Sequence, residues 1–212
     1  IGGDIFWFSA SKDEFLIAVI DCTGHGVPGA LMTMMTKSII DRIVHEIGMN
    51  NPALILHRLN IHTKHSLHQE NTEAKSNDGL DISLCYVNRS NACLIYSGAN
   101  LSLYYTFQGE MGEIKGDKQS IGYKSSDIHF HYKNHAIPLD ASMRFYLTTD
   151  GLLDQVGNKS KFVFSKHRFK SFISQHHDKP FTEQKQLLIE LLEDYQGDEI
   201  QRDDITIIGF AV

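Results

Sequence analysis

Six consecutive apolar residues, Phe15-Leu-Ile-Ala-Val-Ile20, run straight into Asp21-Cys22-Thr23-Gly24-His25-Gly26, and Pro28 then opens a helical pattern. The apolar run reads as a strand buried on both faces, so the acid that ends it stands at the margin of a core. Burying a lone carboxylate is costly unless a cation or several donors meet it. Asp21 therefore needs a partner, and the glycines at 24 and 26 leave room for one to come close.

The flanking patterns say what could supply that partner. Residues 1 to 8 alternate as a strand, and a turn over Ser9 to Asp13 returns the chain antiparallel, which carries Asp4 towards Asp21. Leu31, Met34, Met35, Ile39, Ile43 and Ile47 keep helical spacing between Pro28 and Gly48. A second helix is predicted from Pro52 to about Leu67, capped by Asn51. Met32, Met34 and Met35 are assigned to core packing in preference to a partner groove. The polar stretch 70–78 reads as a loop. Strands are predicted at 80–87, 92–97, 101–107, 128–132 and 143–149, helices at 166–175 and 182–195, and a last strand within 204–212. Strands at both ends, paired helices between strands and a large antiparallel block predict an α+β fold. The expected architecture is a layered α-β-β-α sandwich, two antiparallel sheets flanked by helix pairs, occupying residues 1–212 as one domain.

Bulk properties remove some functions. A chain of 212 residues with 42% hydrophobic and 22% charged residues fits a globular domain with a large core. A net charge of −6 argues against a sequence-independent DNA binder, which needs a basic surface. Cys22, Cys85 and Cys93 have no metal-ribbon spacing and read as core thiols in a reducing compartment. No apolar run approaches the length of a membrane span. Because the chain opens on Ile1, the expectation is a fragment of a longer protein.

Four acidic sites share one context at strand ends: Asp4 after Gly2-Gly3, Asp21, Asp150 before Gly151, and Asp203-Asp204. Any one of them fits a turn or helix cap as well as a ligand. Converging without Lys or Arg in their motifs, they would repel one another unless multivalent cations neutralised them. An all-oxygen donor set favours Mg²⁺ or Mn²⁺ over zinc. The histidines at 57, 62, 65 and 68 share helical faces only in part and lack a completing acid or thiol, so they read as solvated. Gly2-Gly3-Asp4 is similar to a cyclase turn, but Ile5 stands where that motif needs an acid.

In the order Gly2-Gly3-Asp4, Asp21-Cys-Thr-Gly-His-Gly26, Gly79-Leu-Asp81, Thr149-Asp150-Gly151 and Asp203-Asp204-Ile-Thr206, the whole chain resembles the PPM (type 2C-like) metal-dependent protein phosphatases, in their SpoIIE-like bacterial branch. The resemblance implies hydrolysis of phosphoserine or phosphothreonine at a binuclear Mn²⁺ or Mg²⁺ site, with a third ion as an option. Asp21 and Asp150 would be central to catalysis, with Asp21 bridging both ions and the Cys22 carbonyl serving one. Asp4 would hold the second ion, and Asp150 and Asp203 the first. Asp204 would orient, and the register between Asp203 and Asp204 stays open. Relatives in animals carry a histidine two positions after the bridging aspartate, whereas His25 lies four after Asp21, so it is read as part of the turn. No arginine matches their phosphate clamp.

The resemblance further implies direct transfer to water and a phosphorylated STAS-type regulatory protein as substrate. A homodimer is a further expectation. So is a cytoplasmic setting in which a missing N-terminal sensor region anchors the parent protein to the inner membrane and acts through the first two helices. Two other readings stay open from the residues: a phosphatase-like binding module that sequesters its partner, and a two-metal phosphodiesterase.

Overall fold

A computed structural model describes residues 2–70, 76–159 and 161–212. The first hairpin is the one the sequence implies. Strands β1 (Asp4–Ala10) and β2 (Glu14–Cys22) pair antiparallel, and β2 pairs on its other side with β3 (Leu80–Asn88). Strands β4 (Cys93–Ala99) and β7 (His135–Pro138) complete a five-stranded antiparallel sheet in the order β1-β2-β3-β4-β7. The second sheet has the order β6-β5-β8-β9, from β5 (Leu103–Phe107), β6 (Glu110–Ile114), β8 (Arg144–Thr148) and β9 (Ile207–Phe210).

Three cores alternate with these sheets, and side-chain parity sorts residues between them. Leu16, Ala18 and Ile20 of β2 face one way and pack with Ile39, Ile40 and Ile43 of α1 (Gly26–Ile47) and Ile55, Leu56 and Leu59 of α2 (Pro52–Ser66). Phe15, Ile17 and Val19 face the other way and meet Leu103, Phe145 and Leu147 of the second sheet. On the far side of that sheet, Tyr104 and Tyr146 pack with Phe169, Phe172 and Ile173 of α4 (Ser165–His176) and Leu188 of α5 (Phe181–Gln196). A one-turn helix, α3 (Asp150–Asp154), links β8 to this layer. The architecture is the expected α-β-β-α sandwich.

The helix ends follow the predicted chemistry. Asn51 Oδ1 accepts the Leu54 amide at 3.2 Å as the cap of α2, with Pro52 at its first position. Gly48 closes α1 at φ 82°, where a side chain would be strained.

Three expectations need correction. The segment 128–132 is irregular, and the strand falls at His135–Pro138. Alternating His129 and His131 suggested a strand, but the Phe130 carbonyl bonds His57 Nδ1 at 2.9 Å, and the Asp127 carbonyl accepts from Asn60 Nδ2 at 2.9 Å. Helix α2 thus takes the backbone groups a strand ladder would use. Strand β6 was not anticipated. Of the three methionines, Met32 is buried and Met35 packs against the core, whereas Met34 is 69% exposed. Most of the predicted loop at 70–78, residues 71–75, lies outside the described residues. Among the described residues, no helix is long and apolar enough to cross a membrane.

Candidate metal centre

Strand pairing builds the site. The register places Asp4 opposite Asp21, and Asp21 opposite Asp81. Cross-strand partners share a face, so three carboxylates stand in a row at one end of the first sheet. Parity puts them on the same side as Val19 and Ile17, towards the second sheet. Like charges directly opposite one another destabilise an antiparallel pair, so this row is a liability unless something neutralises it.

The end of the second sheet closes over the row. Thr149 follows β8, and its Oγ1 donates to Asp4 Oδ2 at 2.7 Å while accepting the Thr206 amide at 3.1 Å. Asp150, the first residue of α3, shares a hydrogen bond with Asp21. Asp204 Oδ2 accepts the Gly3 amide at 2.7 Å, tying the 203–204 loop to the start of β1. Asp203 Oδ1 accepts the Asp204 amide at 2.8 Å. These approaches require glycine. A Cβ at Gly151 would lie 2.0 Å from the Asp204 carbonyl oxygen, and one at Gly3 would lie 2.3 Å from that of Cys22 and 2.5 Å from that of Gly24.

The electrostatics follow from this crowding. Burial, and then the charges of Asp150, Asp4 and Asp203, push Asp21 up to about 8. Asp4 is raised to about 6 by burial, against hydrogen bonds from Thr149 and Thr206 that favour its charge; Asp204 and Asp203 add repulsion. Burial also raises Asp81, with Ser120 and Asn100 opposing it and Asp150 reinforcing it. Desolvation raises Asp150, the contact with Asp21 opposes it, and the charges of Asp154 and Asp203 reinforce it. The neighbouring charges that raise Asp21 most are those of Asp150, Asp4 and Asp203, all carboxylates. Among the described residues, no three His, Cys, Asp or Glu side chains are grouped closely enough to hold a metal ion as they stand.

The donor chemistry fits hard divalent cations. Every charged side chain gathered here offers oxygen, and backbone carbonyls come close where Gly3 has no side chain. Zinc–thiolate ligation does not fit. The Cys22 thiol packs into the helix-side core, 3.7 Å from Thr36 Oγ1, and burial pushes it up to about 12. Cys22 is therefore left with its backbone to offer.

The structure brings Asp4, Asp21, Cys22, Asp150, Asp203 and Asp204 to one end of the sandwich. Asp81 was not among the residues assigned from sequence, although Gly79-Leu-Asp81 was part of the motif set. Its place depends on the β2–β3 register. Asn100, at φ 58° just after β4, holds it through Nδ2 at 3.0 Å. His25 stands exposed as the N-cap residue of α1 and makes no side-chain capping bond.

Comparison with known proteins identifies the family. A family model described as Stage II sporulation protein E (SpoIIE) matches residues 11–212. The SiaA-PP2C domain of Pseudomonas aeruginosa is similar over 100% of this chain and 81% of its own, at 38% identity and a TM-score of 0.86. RsbX in complex with magnesium is similar at 22% identity and a TM-score of 0.63, over 99% of this chain and 86% of its own. A Bacillus subtilis structure holding the PP2C phosphatase domain and a regulatory fragment of SpoIIE matches at 14% identity and a TM-score of 0.70, over 98% of this chain and 56% of its own. A search of curated proteins returned no match. With the family model spanning nearly the whole chain and the five acidic motifs meeting at one end of the fold, the chain belongs to the SpoIIE family of PP2C-type phosphatases.

Proposed function

We propose that this domain is a metal-dependent protein phosphatase that hydrolyses phosphoserine or phosphothreonine on a regulatory protein. One observation carries the reading: Asp4, Asp21 and Asp81 stand in register at the end of one sheet, Asp150 meets Asp21 from the other, and the charges that raise Asp21 most are those of Asp150, Asp4 and Asp203. Such a site is stable when filled by divalent cations. Bound Mn²⁺ or Mg²⁺ would activate water and neutralise charge on the phosphoryl oxygens.

The chain's own residues have separable roles. Asp21, central in the row, would bridge two ions, and the Cys22 carbonyl would serve one of them. Asp4 would hold one ion, kept in orientation by Thr149; Asp150 and Asp203 would hold the other. Asp204 positions the Gly2-Gly3 backbone from the opposite loop, an orienting role. Asp81, fixed by Asn100, joins this set. The Cys22 thiol, pushed up by burial and facing the helices, is out of place as a nucleophile. The phosphoryl group would pass directly to water, and His25, exposed and unanchored, would not be required as proton donor.

The magnesium-bound RsbX supports the choice of metal, and the SiaA and SpoIIE phosphatase domains support a phosphoprotein substrate. From the family resemblance, that substrate is a phosphorylated STAS-domain protein. The test is phosphate release from such a protein in the presence of Mn²⁺. Asp150→Asn is expected to fall to the rate of the metal-stripped wild type, and undiminished turnover in either sample would overturn the reading.

A further inference from the structure

Besides Thr63, three polar side chains of α2 and its C-terminal extension are buried: Asn60 is 0%, Lys64 4% and Gln69 1% exposed. None is spent on the helix itself. The Lys64 ammonium donates to the carbonyls of Tyr123, Lys124 and Ser126 at 2.8, 3.0 and 2.6 Å, filling all three of its donor directions. Asn60 accepts the Gly122 amide at 2.9 Å and donates to the Asp127 carbonyl at 2.9 Å. Gln69 donates to the carbonyls of Asp78 and Gly122 at 2.6 and 2.7 Å and accepts the Asp78 amide at 2.7 Å. An ammonium and two amides thus clamp the loop 122–127 and the approach to β3 from one side.

What the clamped loop carries is Tyr123. Its hydroxyl meets Thr23 Oγ1 at 2.8 Å, two residues beyond Asp21. Thr23 Oγ1 also accepts the Gly79 amide at 3.0 Å and donates to the Gly79 carbonyl at 3.0 Å. A hydroxyl has one proton, so with that proton on Gly79, the Tyr123 hydroxyl is the donor to Thr23. The contact is close packed as well: a Cβ at Gly79 would fall 2.3 Å from Tyr123 Cδ2. The Thr23 amide bonds the Gly79 carbonyl at 2.9 Å, so the turn that follows Cys22 is fixed at three points to Gly79 and at a fourth to Tyr123.

We propose that Tyr123 is a positioning residue for the metal centre: through Thr23 it fixes the Cys22 carbonyl and Asp21, and α2 sets its place through Lys64, Asn60 and Gln69. The proposal rests on the metal-centre reading above. A second layer of hydrogen bonds of this kind holds ligands at the spacing a metal requires, and its loss weakens binding with the fold intact.

Calorimetry with Mn²⁺ on the intact domain tests it. Tyr123→Phe keeps the ring and its packing and is expected to weaken Mn²⁺ binding by about 10- to 100-fold. The melting temperature of its metal-free form should stay near that of wild type. Thr23→Ser, which retains the hydroxyl, should bind as wild type; Thr23→Val should match Tyr123→Phe. Because the two groups act through one bond, the double variant should bind no more weakly than Thr23→Val alone. In turnover, kcat at fixed Mn²⁺ should fall while KM for the phosphoprotein holds. Lys64→Met leaves three carbonyls without their donor and risks the fold, so Tyr123→Phe carries the test. Wild-type Mn²⁺ affinity in Tyr123→Phe would overturn the proposal, and so would a lowered melting temperature with affinity unchanged, the mark of a merely structural residue. Asp150→Asn in the same experiment separates the two ideas. If it loses Mn²⁺ while Tyr123→Phe keeps it, only the positioning role fails; if it binds Mn²⁺ unimpaired, the metal-centre reading fails.

Discussion

At the residue scale, the site is defined by what Asp21 lacks. Its carboxyl sits at about 8 because burial and three neighbouring carboxylates disfavour the charge. The sign of the resulting pH dependence follows from linkage. A group whose pKa is raised on folding adds stability below its unfolded value, near 3.8 for Asp21, and that contribution is lost as pH rises through the folded value near 8. Asp4, raised to about 6, acts in the same direction over a narrower window. With metal chelated, the melting temperature should therefore climb as pH is lowered from 8 towards 5, and Asp21→Asn should flatten that climb. Saturating Mn²⁺ should abolish it, since the ions replace the proton. Thermal denaturation at a series of pH values checks this, and a chelated wild type that loses stability on acidification over that range would contradict it. The glycines make a second expectation. Gly151→Ala would drive a Cβ to within 2.0 Å of backbone at Asp204, so the 203–204 loop must move. Urea unfolding should show a loss of about 1–3 kcal/mol, the range for overpacking, together with weaker Mn²⁺ binding.

The acids at 4, 21, 150 and 203–204 were legible in the sequence because each sits at the margin of an apolar stretch, just before it at 4 and 203–204 and just after it at 21 and 150, a position packing does not explain. Asp81 was not assigned, since it lies one residue inside its strand and nothing local distinguishes it from a solvated strand acid. Only the pairing of Asp21 with Asp81 reveals it. Tyr123 is harder still to read, because its meaning lies in a bond to a residue 100 positions away.

Among the elements, α1 and α2 were the most readable, with apolar spacing, Pro near the first turn and Gly or Asn at an end all agreeing. Strand β6 was missed for a physical reason. Its five residues, Glu110–Ile114, contain only two apolar side chains, and it lies at an edge where burial demands little. The signal that could have found it was Gln108-Gly109. Both residues adopt positive φ, 51° and 82°, the conformation of a two-residue hairpin turn, so a turn there implies a returning strand. The displaced strand near 130 has the opposite cause, a period of two without free backbone groups to pair. Asn51 offers a test at this scale. Its Oδ1 caps α2 and also accepts from Asn134 Nδ2 at 2.7 Å, while Asn134 Oδ1 accepts the Ala53 amide at 2.9 Å. Asn51→Ala should cost about 1–2 kcal/mol in urea unfolding, at or above an ordinary cap. Mn²⁺ affinity should not change, because this end of α2 is remote from the clamp at Lys64.

For the whole molecule, the site is a seam. Asp4, Asp21 and Asp81 belong to the first sheet, while Asp150 follows β8 and Asp203 precedes β9 in the second. Between the sheets the bonding is apolar, with Phe15 of β2 edge-on to Phe210 of β9 at 6.2 Å, and among the described residues neither sheet is hydrogen-bonded to the other as a ladder. Divalent ions at the seam would therefore staple two layers that otherwise adhere through side-chain packing and a few bonds such as Thr149 to Asp4. Two consequences are separable. Binding stabilises the native state by mass action, about 2.7 kcal/mol when free metal is 100 times its dissociation constant, whatever the site's location. A staple also protects both layers at their shared end, and only a seam does that. Hydrogen exchange with and without Mn²⁺ should show added protection at Gly3 to Ile5 and at 204 to 207 together, on opposite sheets, with little change at the far end near Ala10 and Glu14. Protection confined to the first sheet would mean that Asp150 and Asp203 do not hold the ions, and the ligand set would shrink to the row Asp4, Asp21 and Asp81.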